Sequence, residues 1–146
     1  GYQNPAVQKE LAGDGDYFMG GMGYSPALAK EFMPEAIKIE KKYYTPRSNQ
    51  PFDSDSIQEG VMLFVLAQAI EKAGSLDTEK VAQILRTEEF TSVMSLSGKV
   101  KFEPGGQNVY ALSVITQIKD QDYKTVFPLK YKKSEPVFPM TPWGKR

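Results

Sequence analysis

The chain has 146 residues, of which 40% are hydrophobic and 25% charged, and its 18 lysine and arginine residues balance 18 aspartate and glutamate residues. This length and composition predict one globular domain with a real core, and the balanced charge gives no global field that would attract nucleic acid or an anionic membrane. The sequence contains no histidine and no cysteine. Ser-His-Asp and Cys-His catalytic sites, disulfides and thiolate metal ligands are therefore excluded within this chain.

The N-terminal segment predicts a helix, a turn and a strand that leads into a glycine-rich loop. The helix covers residues 5–12 with proline in its first turn, the turn covers 13–16, and the strand covers 17–19. The loop, 20–24, follows the carboxyl end of the strand, which is where ligands bind in open α/β sheets. Its glycines lack the spacing of a phosphate-binding loop, and plain packing of the loop is the alternative to ligand binding.

Two further helices are predicted before the middle of the chain. The first begins at Ser25 or Pro26, and the second covers 32–44, where apolar and charged residues follow a helical spacing. A loop with two prolines, 45–51, comes after them.

The longest apolar run of the sequence lies in a predicted central helix over 56–73. Ser56 and the glutamate three residues later have the spacing of a capping box, and Gly74 suits the left-handed conformation that ends a helix. Residues 61–67 are apolar without interruption, so we expect other elements to bury this helix on nearly every side. The run is shorter than the roughly 20 apolar residues that span a bilayer.

The start of this helix is also a candidate ligand site. Ser54, Asp55 and Ser56 would meet the positive end of the helix dipole, where free amides and hydroxyls bind polar groups. Helix capping explains the same three residues equally well.

The remaining sequence predicts one helix followed by strands. Asp77 is the expected N-cap of the helix, whose apolar face carries valine, isoleucine and leucine. From Thr91 onward the residue pattern is typical of strands joined by polar turns. The predicted elements are a strand over 98–102, a turn over 103–108, a strand over 109–119, a turn at Asp120-Gln121-Asp122, a strand over 123–129 and a proline-rich tail over 136–143.

Several segments of the chain also follow one another in a recognisable order. They are the helix end Ala69-Ile70-Glu71-Lys72-Ala73-Gly74-Ser75, the cap at Asp77 with its helix over 80–86, the strand Gly98-Lys99-Val100-Lys101-Phe102-Glu103, the turn at Gly105-Gly106, the hairpin at Asp120-Gln121-Asp122 and the tail ending in Pro142-Trp143. In this order they resemble the C-terminal portion of the type I periplasmic solute-binding proteins of ABC transporters, in the leucine/isoleucine/valine-binding-like family. Upstream, Gly1-Tyr2 and Tyr17-Phe18-Met19-Gly20 are similar to the late part of that family's second lobe.

The resemblance implies an α/β fold: part of a two-lobed type I periplasmic-binding-protein fold, with parallel sheets flanked by helices and a C-terminal β-hairpin. Residues 1–25 would form the late part of the second lobe, residues 26–90 a helical portion returning to the first lobe, and residues 91–146 the C-terminal strands, hinge crossing and tail. Proteins of this family are more than twice this length, so we expect the chain to be a fragment. The segment 26–39 is short for the family, which suggests a stretch lost near residues 30–33.

The resemblance also implies a receptor that binds its ligand without chemistry. It would be an extracytoplasmic protein, in the periplasm or on the cell surface, that delivers a small organic ligand (amino-acid-like, branched or aromatic carboxylate) to an ABC importer by closure of its lobes. Its partners would be the ligand and the permease subunits, with no cofactor, metal or nucleic acid, and with membrane association only through the permease or a lipid anchor outside this chain. Two alternatives remain: a ligand-sensing receptor or regulator domain of the same fold, and a small enzyme that uses carboxylates alone.

The family's ligand contacts correspond to three places in this sequence. The residues are Tyr2 and Gln3 at the N-terminus, Gly21, Met22, Gly23 and Tyr24 in the glycine-rich loop, and Asp55 and Ser56 at the start of the central helix. Amino-acid receptors of the family carry an acidic side chain at the position of Met22, and methionine cannot pair with an ammonium group. We therefore expect amino acids to bind poorly and carboxylates or neutral apolar molecules to bind better, since an unpaired buried charge costs several kcal/mol.

Overall fold

The computed structural model describes the backbone of residues 5–145 and the side chains of residue 7 and of residues 9–145. Its α-helices are α1 (Pro5–Leu11), α2 (Pro26–Phe32), α3 (Pro34–Ile39), α4 (Thr45–Ser48), α5 (Ser54–Ala73) and α6 (Thr78–Thr87). Its strands are β1 (Met19–Met22), β2 (Glu89–Thr91), β3 (Lys99–Lys101), β4 (Val114–Lys119) and β5 (Asp122–Phe127). A π-helical segment covers Glu40–Tyr44, and short 3₁₀ turns lie at Ala12–Gly15, Leu129–Tyr131 and Trp143–Lys145.

The described strands form two small antiparallel sheets. The first has the order β1-β4-β5, with Gly20 opposite Thr116 and Thr116 opposite Thr125, and the second pairs β2 with β3. The β4–β5 pair confirms the predicted C-terminal hairpin. The parallel sheets that the resemblance implied are not formed within residues 5–145, because β1 and β2, the two strands that helices separate, lie in different sheets and each has an antiparallel partner.

Three groups of buried apolar side chains hold these elements together. One contains Leu28 and Ile118 and joins α2 to the three-stranded sheet. A second surrounds Phe52 and joins the start of α5 to α2 and α3. The third contains Val81 and Phe90 and joins the later part of α5 to α6 and to the two-stranded sheet. Helix α5 belongs to the second and third groups, so it connects the two halves of the described chain.

Helix α5 begins two residues earlier than predicted and has a different N-cap. The Asp53 Oδ1 accepts a hydrogen bond from the Ser56 amide at 2.8 Å, and the Ser56 Oγ accepts one from the Asp53 amide at 2.9 Å. Ser56 is therefore the third helical residue of the capping box and not its N-cap, because an aspartate that caps as well as serine lies three residues before it. Gly74 ends the helix with a φ of 57°, as predicted.

The expectation that α5 is buried on nearly every side is wrong for the described part of the chain. Val65 is buried, but Met62, Leu63, Phe64 and Leu66 are 64, 68, 39 and 44% exposed. The apolar run is long enough to face outward as well as inward, and only its inward side meets another described element. Replacing a fully buried phenylalanine by alanine would lower the free energy of unfolding by about 3–5 kcal/mol. Phe64 is partly exposed, so this loss is not expected for Phe64→Ala.

Two predicted boundaries near the N-terminus are also wrong. Strand β1 extends to Met22, so residues 20–22 pair with β4 where a loop was predicted. The predicted helix over 32–44 is broken at Met33, whose φ of −135° and ψ of 51° are not helical. The residue after it is proline, which disfavours the helical conformation at the residue before it. The helix then continues through the π-helical segment into α4, which occupies part of the loop predicted over 45–51.

The β4–β5 hairpin turns at Asp120 and Gln121, which have φ values of 52° and 58°. A two-residue turn of this kind requires positive φ at both central residues. Strand β4 begins at Val114, five residues later than predicted, and residues 109–113 belong to no strand, although the Val109 amide donates a hydrogen bond to the Lys101 carbonyl of β3 at 2.9 Å. Their composition suits a strand, but a strand forms only where a partner is available to it.

A buried side-chain amide helps to hold the proline-rich tail on the sheet. The side chain of Gln117 accepts a hydrogen bond from the Val137 amide at 2.8 Å and donates one to the Val137 carbonyl at 3.0 Å. Gln117 is 1% exposed, so these bonds also satisfy a polar group inside the protein. As predicted, the described tail forms no strand.

Replacing Asp53 by alanine is expected to lower the free energy of unfolding by about 1 kcal/mol at neutral pH, because the Ser56 amide loses its acceptor. Burial raises the pKa of Asp53, but hydrogen bonds from the Ser56 side chain and from backbone amides outweigh burial and hold the folded-state pKa below its usual value. A depressed pKa stabilises the fold above the unfolded-state pKa of about 4, and this part is lost as the pH falls through the folded-state pKa. Urea unfolding at neutral and acidic pH measures both effects.

Asp53→Asn is the matched control, because asparagine caps a helix without a charge. Its unfolding free energy is expected to stay nearer that of the parent protein than that of Asp53→Ala. If Asp53→Ala lowered the free energy of unfolding equally at neutral pH and at a pH below the pKa of the carboxyl, the negative charge of Asp53 would not contribute to the cap.

Gly60→Ala is expected to destabilise the protein although alanine is the better helix former. A Cβ at this position would lie 2.4 Å from the Cε and 2.5 Å from the Sδ of Met94, which is itself buried. Displacing that side chain should cost about 1–3 kcal/mol, more than the gain of about 1 kcal/mol in helix propensity. Thermal unfolding of Gly60→Ala and of the control variant Gly105→Ala checks this, since a Cβ at Gly105 meets nothing within 4 Å. A Gly60→Ala protein more stable than its parent would show the account wrong.

Candidate functional site

A groove of about 790 Å³ runs along one side of α5. Its other walls come from residues 94–96, from β3 and Phe102, and from residues 108–113. The floor is apolar and includes Val61, Val65 and Val100. Polar side chains line the part of the groove that the first two turns of α5 form, and they are Asp55, Gln58 and Glu59. We call this part the polar end of the groove.

The structure brings together two of the predicted ligand-binding residues, Gly23 and Asp55, which both line the groove. Gly23 comes directly after β1, and Asp55 lies in the first turn of α5. These two places are separated by more than thirty residues in the sequence, but the Phe52 cluster packs the start of α5 against α2, which follows Gly23.

The other predicted residues lie elsewhere. Gly21 is in β1, and the Met22 side chain is buried in the core, where its sulfur accepts a hydrogen bond from the Thr116 hydroxyl at 3.0 Å. Tyr24 is 2% exposed and Ser56 belongs to the helix cap. Tyr2 and Gln3 lie outside the described residues. The ligand-binding role of all eight residues stays a prediction.

A partly buried carboxylate link fixes the two sides of the polar end relative to each other. The Tyr24 hydroxyl donates a hydrogen bond to the Glu40 Oε2 at 3.2 Å, and the Phe52 amide donates one to the same oxygen at 3.0 Å. Glu40 is the first residue of the π-helical segment, and such segments often occur at functional sites. Since Tyr24 follows Gly23, and Phe52 precedes the Asp53 cap of α5, this link positions the two predicted contacts.

The charge of the groove is negative. Asp55 and Glu59 lie one helical turn apart, and no lysine or arginine is among the described residues that line the groove. The groove therefore offers carboxylates although the Met22 position offers none. The expectation that amino acids bind poorly was based on Met22 alone, and it stays a prediction.

Several lining residues were not anticipated from the sequence. They are Ser95 and Leu96 in the loop before β3 and Asn108, Leu112 and Ser113 before β4. Asn108 has a structural role too, because its Oδ1 accepts hydrogen bonds from the amides of Lys101 and Tyr110, each at 3.1 Å. No local motif marks these residues, since tertiary packing alone brings them to the groove.

Two neighbouring carboxylates, those of Glu88 and Glu89, have structural partners. Glu88 pairs with Lys72 at 2.9 Å, and Glu89 accepts hydrogen bonds from Lys99 at 2.7 Å and from the Tyr110 hydroxyl at 2.8 Å. The bonds from Lys99 and Tyr110 lower the pKa of Glu89. Within residues 5–145, no group of three or more acidic side chains is arranged to hold a metal ion, and no helix is both long and apolar enough to cross a membrane.

The fold is similar to that of known binding proteins. No protein-family model matches the sequence. The structure is similar to a leucine binding protein, LivK, from Thermotoga maritima, with a TM-score of 0.65 and 22% identity over 84% of this chain and 33% of that chain. It is also similar to an ABC-type branched-chain amino acid transporter protein from Rhodopseudomonas palustris, with a TM-score of 0.52 and 18% identity over 83% of this chain and 32% of that chain.

These likenesses show that the chain has part of a type I periplasmic-binding-protein fold, which confirms the predicted fold class. The chain spans about a third of the length of the two solved structures. At this level of identity the likeness concerns the fold, and a shared fold does not by itself assign a ligand.

Tyr24→Phe tests the carboxylate link through its pH dependence. Burial, together with the negative charge of Glu40, raises the pKa of Tyr24 far above its usual value. A raised pKa stabilises the fold below the unfolded-state pKa of about 10, and the stabilisation is lost as the pH rises beyond it, because only the unfolded tyrosine then ionises. Stability measured by urea unfolding should therefore fall as the pH rises above about 10, and it should fall less steeply in Tyr24→Phe.

The control is Tyr43→Phe, because Tyr43 is 50% exposed. Its stability should follow the same pH dependence as the parent protein. If Tyr24→Phe and the parent lost stability in parallel above about pH 10, Tyr24 would not be held neutral by its surroundings.

Proposed function

We propose that this chain is part of an extracytoplasmic solute-binding receptor that delivers a small organic ligand to an ABC importer. The receptor binds by closure of two lobes and performs no chemistry on its ligand. It acts in the periplasm or at the cell surface, and its partners are the ligand and the permease subunits. One observation carries the proposal: Gly23 and Asp55, which the family resemblance selects from distant parts of the sequence, line one groove in a chain that has part of the same fold.

The composition of the groove supports binding rather than catalysis. Its floor is apolar, and its two charged side chains, Asp55 and Glu59, lie together at the polar end, as in many small-molecule sites. An apolar floor suits a branched or aromatic side chain. The Asp55 carboxylate and the backbone of Gly23 would then meet the polar end of the ligand.

The ligand that suits this arrangement is amino-acid-like, with a branched or aromatic apolar part and a carboxylate. Asp55 is the group that would receive its ammonium, since Met22 is buried and turned to Thr116. Of the two solved structures that share the fold, one is a leucine binding protein and the other an ABC-type branched-chain amino acid transporter. This is consistent with a ligand of that class for the complete receptor.

The test is calorimetric titration of the polypeptide that the whole reading frame encodes, with leucine and phenylalanine and with their 2-oxo acids. Asp55→Asn is expected to weaken amino-acid binding by about tenfold or more, because a partly desolvated ammonium loses its charged partner. Binding of the 2-oxo acids, which carry no ammonium, should be unchanged or stronger.

Glu71→Gln is the matched control, because Glu71 is an exposed acid on the same helix that does not line the groove. It should leave both titrations unchanged. Amino-acid binding that survives Asp55→Asn would contradict the role of Asp55. The absence of binding by either class would contradict the proposed ligand.

A further inference from the structure

The polar groups that line the groove lie in separate places. One place is the polar end, where Asp55 lies in the first turn of α5. Another is Asn108, which pairs with Phe102 in an isolated antiparallel bridge directly after β3. Val100 of β3 belongs to the same apolar cluster as Val65, and Val65 is about 15 Å from Asp55 along the helix axis, at about 1.5 Å per residue. An apolar floor therefore separates Asn108 from the polar end.

The side-chain amide of Asn108 is held in one orientation. Its Oδ1 accepts hydrogen bonds from the amides of Lys101 and Tyr110, each at 3.1 Å. Two backbone donors require the oxygen of this side chain, so its Nδ2 is turned away from them. Asn108 is half-buried, and its Nδ2 donates to no acceptor within residues 5–145. Asn108 therefore has two free N–H donors in a groove whose described lining contains no lysine or arginine.

The two serine hydroxyls among the described lining residues are placed differently. Ser95 forms a hydrogen bond with the Ser97 hydroxyl at 2.9 Å. Ser113 directly precedes the residue of β4 that pairs with the end of β1, so it lies beside Gly23. Asn108 is thus the donor that a ligand meets next to β3.

The groove is also larger than one amino acid requires. Its volume is about 790 Å³, whereas a cavity of about 150 Å³ holds benzene and sites of about 300–1,000 Å³ hold drug-sized ligands. An α-amino acid carries its ammonium and its carboxylate on one carbon. When its ammonium meets Asp55, it leaves the Asn108 donors unused.

We propose that the groove takes a short apolar peptide of about three or four residues, since an extended chain spans about 3.3–3.6 Å per residue. Its N-terminal ammonium meets Asp55, and its side chains lie on Val61 and Val65. Its C-terminal carboxylate accepts hydrogen bonds from the Asn108 Nδ2, away from the negative charges of Asp55 and Glu59. This inference rests on the proposed function, because it uses the same groove and the same partner for the ammonium, and it names the class of ligand.

Calorimetric titration of the polypeptide that the whole reading frame encodes, with leucine, dileucine and trileucine, tests the length of the ligand. Trileucine is expected to bind about tenfold or more tightly than leucine or dileucine, because only the longest of the three reaches a hydrogen bond between Asn108 and a charged carboxylate. This comparison needs no variant.

Asn108→Asp tests the donor in the same titrations. Aspartate keeps an oxygen for the amides of Lys101 and Tyr110, but it replaces the Nδ2 donors by a negatively charged oxygen. Trileucine binding is expected to weaken by about tenfold or more and leucine binding by much less, because only the carboxylate of trileucine lies beside the new charge. Asn49→Asp is the matched control, since Asn49 is exposed and does not line the groove, and it should change neither titration.

Two outcomes would overturn this inference alone: leucine that binds as tightly as trileucine, and Asn108→Asp that weakens both ligands equally, which would leave Asn108 a structural role only. The absence of binding by leucine and by both peptides would overturn the proposed function as well.

Discussion

Strand β4 is the element on which the described structure depends. It pairs with β1 near the beginning of the chain and with β5 near its end, and its own Val114 and Ile118 are completely buried. Gln117 of the same strand holds the tail at Val137 through two hydrogen bonds. Strands β1 and β4 are about a hundred residues apart in the sequence, so their pairing closes a long loop of chain. Closing this loop costs conformational entropy, and the burial of apolar side chains on β4 offsets that cost. The long helix α5 is then placed by the clusters at either side of it.

The structure separates α5 into two functional parts. Its first two turns carry the cap at Asp53 and the groove residue Asp55, and the Glu40 carboxylate ties the Phe52 amide in front of this cap to Tyr24 after β1. Its middle carries apolar side chains that face outward as well as inward. The polar end therefore has a defined geometry within the described residues. The outer apolar face has the composition of a core without a described neighbour to complete it.

Local signals in the sequence predicted the elements that local chemistry determines. Gly74 and Asp77 mark the end of α5 and the start of α6, and the hairpin turns at Asp120-Gln121, within the predicted turn over residues 120–122. Predictions that depended on neighbours were less accurate. The burial of the α5 run and the strand character of 109–113 both need a packing partner, and the break at Met33 depends on the backbone before one proline.

For the site, the resemblance selected Gly23 and Asp55, but it could not select Ser95 or Leu112, which reach the groove only through tertiary packing. Met22 is the opposite case: the sequence analysis placed it in a ligand-binding loop. Strand β1 extends to Met22, and its side chain is buried in the core.

The central claim is that this chain is one part of a receptor that closes around its ligand. Small-angle X-ray scattering of the complete gene product, recorded with and without a ligand whose binding calorimetry has established in the same sample, tests it most directly. Two lobes that close on the ligand are expected to give a smaller radius of gyration in its presence. A radius of gyration that stays the same while the ligand is fully bound would contradict the claim.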